Sequence, residues 1–257
     1  MIEFKNMSSG YGYGDVIKAV NLQISKGKLI SVIGPNGSGK STLIKTANGM
    51  ITPSDGTVCI DGTDIASMSR LEIARKAAYL AQGRSVPDMT VGQMVLHGRF
   101  PHIGYPRRYS ADDRRIATES LQQVGILHLA DTPLRELSGG IRQNAYIAMA
   151  LAQNTDYILL DEPTTYLDIS NQLSVIKILR TLSRGGKGIL AVMHDLPLAF
   201  TFSDAVAVVA EGRVKAFNTP QKLYASDTVK DVFGAELGFC SEGKYYYYKY
   251  GNILKGE

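Results

Sequence analysis

The 257-residue chain has little of what marks several protein classes. It carries two cysteines, Cys59 and Cys240, far apart and outside any CxxC or Cys/His spacing. That excludes a disulfide framework and a zinc site, and leaves two small thiols for the interior or its margin. No apolar run approaches the ~18–20 residues that a membrane-spanning helix needs. Stretches such as Ile189 to Met193 and Ala205 to Ala210 are strand-sized. Glu3 and Lys5 interrupt any basic-then-apolar secretory pattern at the start. Net charge is +4, and Asp112 and Asp113 separate Arg107-Arg108 from Arg114-Arg115. No block of one sign is long enough for a nucleic-acid arm. The expectation is a cytoplasmic protein without a nucleic-acid partner. Any membrane role requires another chain to supply the spanning part.

What is present suits one large α/β domain or one domain with inserted lobes. Apolar residues make up 44% and charged residues 20%, enough for a sizeable core without staples. Val20, Leu22 and Ile24 alternate with polar residues as a half-buried strand does. Leu29 to Ile33 is a short β-branched run feeding a glycine-rich loop, and Leu43, Ile44 and Ala47 then fall on one helical face up to Gly49. Thr57 to Ile60 with Asp61-Gly62 reads as a hairpin, as does Val206 to Phe217 with Glu211-Gly212 at its turn. From about Pro87 to Leu151 helical periodicity dominates, with Ser110 as an N-cap and Ile116, Leu121 and Val124 on one face. Tyr157 to Leu160 and Gly188 to Met193 read as buried strands, with a helix from about Asn171 to Leu182 between them. Tyr245 to Tyr248 and Tyr250 suggest an edge strand or a surface patch.

Two motifs carry chemistry. The run Gly34-Pro35-Asn36-Gly37-Ser38-Gly39-Lys40-Ser41-Thr42 matches G-x(4)-G-K-[ST] between a strand and a helix. Glycines let successive backbone N–H groups converge on a phosphate, and the helix points its positive end at the same anion. Lys40 adds a mobile charge for the β- and γ-oxygens, and Ser41 a hydroxyl for Mg²⁺. The expected ligands are therefore ATP and Mg²⁺. The second motif is Ile158-Leu159-Leu160-Asp161-Glu162-Pro163. Its strand should deliver Asp161 to the Mg²⁺ at the carboxyl edge of the sheet, with Glu162 next to it to polarise the attacking water.

With these in place the chain resembles the nucleotide-binding subunits of ABC transporters over essentially its whole length. Leu137-Ser138-Gly139-Gly140-Ile141-Arg142-Gln143 resembles their signature sequence. Ser138, Gly139 and Gly140 open a helix N-terminus, a second anion-binding device. The resemblance implies that this device meets the γ-phosphate held by a second subunit in a head-to-tail dimer, most simply a homodimer. It implies an adenine-stacking role for Tyr11, with Tyr13 an alternative because Gly-Tyr-Gly-Tyr-Gly blurs the register. Gln82 matches the glutamine that contacts Mg²⁺ or the attacking water, His194 the histidine that reaches the γ-phosphate, and Asp168 of Tyr166-Leu167-Asp168 the loop crossing the dimer interface. His97, His102 and His128 have no such counterpart and read as surface or packing residues.

The implied fold is a P-loop NTPase (RecA-like) α/β core with an N-terminal antiparallel β-subdomain and an inserted α-helical subdomain. Residues 1–86 hold the β-subdomain and first part of the core, 87–152 the helical subdomain, and 153–257 the rest with its C-terminal hairpin. The implied function is ATP hydrolysis at the cytoplasmic face of the membrane, as a peripheral subunit driving transmembrane permease subunits and, indirectly, a substrate-binding protein. Two stretches resemble importers of iron-siderophores, haem or cobalamin: Asp161-Glu162-Pro163-Thr164-Thr165-Tyr166-Leu167-Asp168, and Gly98-Arg99-Phe100-Pro101-His102 followed by Ser110 and Asp113. The chain departs from the pattern at Ile141, where glutamine is usual, and at Asn144, where a basic residue is common. A soluble ABC ATPase acting on nucleic acid or protein machinery is the rival reading; one cassette without a basic arm weighs against it. A nucleotide-regulated binding module without hydrolysis is disfavoured by Glu162 and His194.

Overall fold

The computed structural model describes residues 1–83 and 86–249. Strand β1 (Ile2–Tyr11) pairs antiparallel with β2 (Gly14–Ile24). The expected alternation buries Val20, Leu22 and Ile24. β3 (Leu29–Ile33), buried at every position, leads through the glycine-rich loop into α1 (Lys40–Ala47). β4 (Asp55–Ile60) and β5 (Thr63–Asp64) form the expected hairpin. Its turn residues Asp61 and Gly62 have φ of 51° and 83°, the paired left-handed geometry of a tight β-turn. α2 (Arg70–Lys76), opened by a capping box of Ser69 and Glu72, runs without a loop into β6 (Ala77–Leu80).

Three helices follow: α3 (Val91–His97), α4 (Ala111–Val124) and α5 (Gly139–Ala152). Ser110 caps α4 as its sequence suggests, and Asp113 completes the capping box. β7 (Tyr157–Leu160) returns the chain to the sheet before α6 (Ile169–Arg184). This helix starts two residues earlier than its apolar spacing indicates, because the Asp168 carboxylate accepts from the Asn171 N–H and fixes the start. β8 (Gly188–Val192), α7 (Leu196–Phe202), β9 (Ala205–Ala210) and β10 (Arg213–Asn218) complete the core, with α8 (Pro220–Tyr224) and α9 (Thr228–Phe233) after it. β11 (Glu236–Cys240) and β12 (Tyr245–Lys249) form a separate two-stranded ribbon.

The tyrosine run is thus neither an edge of the main sheet nor wholly surface. Tyr246 is buried, 5.3 Å from Phe200 and 5.4 Å from Tyr224 between ring centres, while Tyr245 and Tyr247 face out. Alternation along β12 places one ring inward and the next outward. Tyr250 lies outside the described residues.

The central sheet has the order β10-β9-β3-β8-β7-β6, and the four-stranded sheet the order β2-β1-β4-β5. In the central sheet β9, β3, β8, β7 and β6 are parallel and β10 is antiparallel. Parallel strands covered on both faces are apolar throughout, and successive residues go to opposite cores. Leu29, Ile158, Leu160 and Ile189 pack with α3–α6. Ile30, Val32, Leu159 and Leu190 pack with α1 and the antiparallel sheet. Ser31 is the polar exception among the β3 residues, and its hydroxyl bonds that of Ser203 at 2.6 Å. None of the described helices is long and apolar enough to cross a membrane.

Candidate functional site

Four adjacent strands end at the same sheet edge. β3 delivers the loop at Gly34, β8 delivers His194, β7 delivers Asp161 and Glu162, and β6 delivers Gln82. The chain leaves β3 and returns at β6, three places away, so this edge contains the topological switch point where α/β sheets bind ligands.

The loop is tight. A Cβ on Gly34 would lie 2.0 Å from the Val209 carbonyl oxygen, so no other residue fits there without moving β9. Gly37 and Gly39 have φ of 76° and 104°. Pro35, Asn36 and Gly37 are exposed, whereas Ser38, Gly39, Lys40 and Thr42 are buried. The Lys40 ammonium donates to the carbonyls of Gly34 and Pro35, both at 2.8 Å. Burial pushes its pKa down, opposed by the charges of Glu162 and Asp161. A buried cation held by neutral carbonyls is a poor arrangement on its own and a good one for an anion. The Ser38 hydroxyl is also buried without a hydrogen-bond partner. Both features fit a phosphate chain lying in the loop.

Across the sheet edge, Ser41 Oγ donates to Asp161 Oδ1 at 3.1 Å. Asp161 is 5% exposed. Burial raises its pKa, the Ser41 bond lowers it, and the Glu162 charge raises it again. A cation here would relieve that cost. Among the described residues no cluster of three or more His, Cys, Asp or Glu could hold a metal by itself. A hydroxyl and one carboxylate do suit Mg²⁺, which keeps waters and takes substrate phosphates as ligands.

Glu162 sits at φ 54°, an uncommon conformation for a residue with a side chain. Three groups hold it there. His194 Nε2 donates to Oε1 at 2.6 Å, Thr165 Oγ1 donates to Oε2 at 2.9 Å, and Gln82 Nε2 also donates to Oε2. Thr165 was not apparent as part of the site from sequence; its place three residues after Glu162 in a turn is the signal that could have found it. Strained backbone held by several partners at a sheet edge is what functional sites accumulate.

Three comparisons show what the chain as a whole is similar to. The ABC transporter family profile matches residues 17–165. The ferric enterobactin transport ATP-binding protein FepC of Escherichia coli (strain K12) is 39% identical over 232 residues, 90% of this chain and 86% of its own. The iron(3+)-hydroxamate import ATP-binding protein FhuC of Bacillus subtilis (strain 168) is 42% identical over 228 residues, 87% of this chain and 85% of its own. The chain belongs to the ATP-binding subunits of ABC transporters. The dimeric post-hydrolysis structure of the ATP-binding cassette MJ0796, bound to ADP and Pi, matches this ABC subunit with a TM-score of 0.73 at 29% identity, over 86% of this chain and 99% of that one. The protein is accordingly an ATP-binding ATPase.

The remaining family positions of this ABC ATPase lie as follows. Ser138 caps α5, its hydroxyl accepting from the Ile141 N–H at 3.4 Å; Ser138 and Gly139 are exposed and Gly140 is buried. A Cβ on Gly140 would come 2.2 Å from the Asn171 side chain, so α5 and α6 approach closely there. Gly139 and Arg142 line a 260 Å³ cleft with Gln82, Glu162 and Tyr166. Ile141 is half-buried against the apolar core, in company with Leu167. Asp168 is exposed at the start of α6, while Tyr166 is 95% exposed. Tyr11 is half-exposed at the end of β1, with the Lys45 ammonium 6.0 Å from its ring centre; Tyr13 is fully exposed. The geometry therefore brings together Lys40, Ser41, Gln82, Asp161, Glu162 and His194, while Ser138 stands at the exposed N-terminus of a separate helix.

Proposed function

We propose that this ATPase is the energising subunit of an importer for a metal chelate of the iron-siderophore, haem or cobalamin class. In the proposed site Tyr11 stacks on adenine, and the loop from Gly34 to Thr42 wraps the phosphates with its N–H groups and Lys40. Mg²⁺, held by Ser41 and Asp161 with Gln82 beside it, would spread the charge of the phosphate oxygens. Glu162 accepts the proton of the water that attacks the γ-phosphorus in line, and His194 donates to the γ-phosphate. The mutual bonding of Gln82, Glu162 and His194 supports this reading. Gln82 and His194 both bond Glu162, so three groups with separate tasks stand within hydrogen-bonding reach of one another, where ATP and its water would compete for the same bonds.

Ser138 and Gly139, both exposed, together with the buried Gly140 at the same helix start, are proposed to complete the site of a second copy, arranged head to tail, with Asp168 crossing the interface. The bonding of Asp168 to the Asn171 N–H and amide, each at 2.8 Å, supports a fixed rather than a trailing loop there. Binding of two ATP molecules closes this pair and hydrolysis releases it, so nucleotide state biases a two-state assembly. Residues 87–152, carrying α3–α5, act as the lobe that receives a membrane permease beside Gln82, at the cytoplasmic face. A substrate-binding protein delivers the chelate to the permease and does not touch this chain. The names of FepC and FhuC support the chelate class.

The observation that carries the reading is the convergence of Lys40, Ser41, Asp161, Glu162, Gln82 and His194 on one sheet edge. The test is phosphate release by the purified chain, together with identification of the membrane protein that co-purifies with it and the ligand of its binding protein. Turnover with a permease whose binding protein takes a siderophore, haem or cobalamin supports the proposal. A binding protein specific for a sugar or amino acid would overturn the chelate assignment.

A further inference from the structure

The stretch Gly98-Arg99-Phe100-Pro101-His102 with Ser110 and Asp113 plays no part in the nucleotide site, yet it makes a dense set of bonds. A Cβ on Gly98 would lie 2.1 Å from the Met149 carbonyl oxygen, so the ends of α3 and α5 touch backbone to backbone. The last carbonyls of a helix lack intrahelical partners. Here side chains supply them. Arg99 Nη1 donates to the Ala152 carbonyl at 3.0 Å, and His102 Nε2 bonds the Gln153 carbonyl at 2.8 Å. A carbonyl only accepts, so His102 carries a proton on Nε2.

The next bonds leave the helical unit for the core. Gln153 Nε2 donates to the carbonyls of Ala74 and Ala77, at 2.5 and 3.4 Å, where α2 becomes β6. Arg75 Nε, on α2, donates back to the Pro101 carbonyl at 2.8 Å. The circuit is closed: α2 to residues 99–102, these to the end of α5, and Gln153 back to α2. Each link joins a side chain to backbone, so the link fixes a position as well as a contact.

The joint lies between two functional ends. β6 continues to Gln82, which bonds Glu162. α5 runs the other way to Ser138. We propose that His102 and Gln153 are positioning residues for hydrolysis: they hold α3–α5 at one angle to the core, and so set where Ser138 stands relative to the Gln82–Glu162 pair. The consequence for turnover rests on the reading that Ser138 serves a second copy; the joint itself does not.

The test uses the full chain with spin labels at His128→Cys after α4 and Lys177→Cys on α6, in a background with Cys59→Ala and Cys240→Ala. Arg99 and Asp113 are left intact, because their loss threatens folding. With His102→Ala and Gln153→Ala combined, the label-to-label distance distribution of the nucleotide-free chain should widen about twofold. For the unlabelled pair of substitutions kcat should fall about tenfold, with KM for ATP within twofold of the parent. His102→Asn, which keeps a donor, should recover part of the rate. An unchanged distribution would overturn the proposal, whether kcat stays level or falls in step with the melting temperature. If instead the distribution widens but Glu162→Gln never forms an ATP-bound pair of chains, the joint stands and the second-copy reading fails.

Discussion

Asp113→Asn strikes the interior of the helical unit and can be followed quantitatively. Asp113 and Arg99 are 8% and 6% exposed, and Arg99 Nε donates to Asp113 Oδ1 at 2.8 Å. The Arg99 bond, helped by the Ser110 hydroxyl and N–H and opposed by burial, pulls the carboxyl from 3.8 to about 2. A depression of that size contributes roughly 2 kcal/mol at neutral pH. The folded-state pKa is the lower one, so this contribution is complete above the unfolded value and fades as pH falls from about 5 towards 2. Asparagine removes it at every pH and also strands a buried guanidinium, which raises the cost to about 3–5 kcal/mol. For a chain of this size that lowers the melting temperature by about 10 °C at pH 7. Melting curves of parent and variant between pH 7 and pH 3 are the assay. The gap should be widest at pH 7 and narrow on acidification. A variant that melts within 2 °C of the parent at pH 7, or a gap that stays constant down to pH 3, would refute the argument.

Gly34→Ala should abolish ATP binding and lower stability by roughly 1–3 kcal/mol through overpacking against Val209; nucleotide titration and thermal melts check both. Tyr11→Ala should raise KM for ATP about two- to tenfold, from loss of a ring contact worth roughly 0.5–1.5 kcal/mol, whereas Tyr13→Ala should leave it unchanged. The opposite outcome would move the adenine contact to Tyr13. Ile141→Gln should keep ATP affinity in the isolated chain but alter kcat by more than twofold, since it places a hydrogen-bonding side chain beside the α5 N-terminus; steady-state kinetics identical to the parent would sink this.

The glycine-rich loop between a strand and a helix was legible because its geometry is local: Gly37 and Gly39 take left-handed backbone, and the flanking apolar run and helical spacing give the strand and the helix. Asp161 and Glu162 followed from the same logic, a strand ending in two carboxylates. The turns at Asp61-Gly62 and Glu211-Gly212 and the cap at Ser110 were equally readable, since each depends on adjacent residues. The bonds from Arg75 to Pro101 and from Gln153 to Ala74 were not, because a side chain meeting a distant carbonyl leaves no period or spacing. His102 read as a surface or packing residue for that reason. The Tyr245–Tyr248 run alternates too weakly in polarity to show that Tyr246 turns inward on Phe200, and only the docking of the ribbon on α7 decides it.

The central claim is that ATP is bound between two copies, with Glu162 of one and Ser138 of the other at the same phosphate. The most direct measurement is the mass of Glu162→Gln in solution, by light scattering during size exclusion with and without saturating Mg·ATP. The expected result is no turnover and a stable ATP-bound dimer that falls apart when nucleotide is removed, and that fails to form when Ser138→Arg is added. A chain that stays monomeric in saturating Mg·ATP would contradict it.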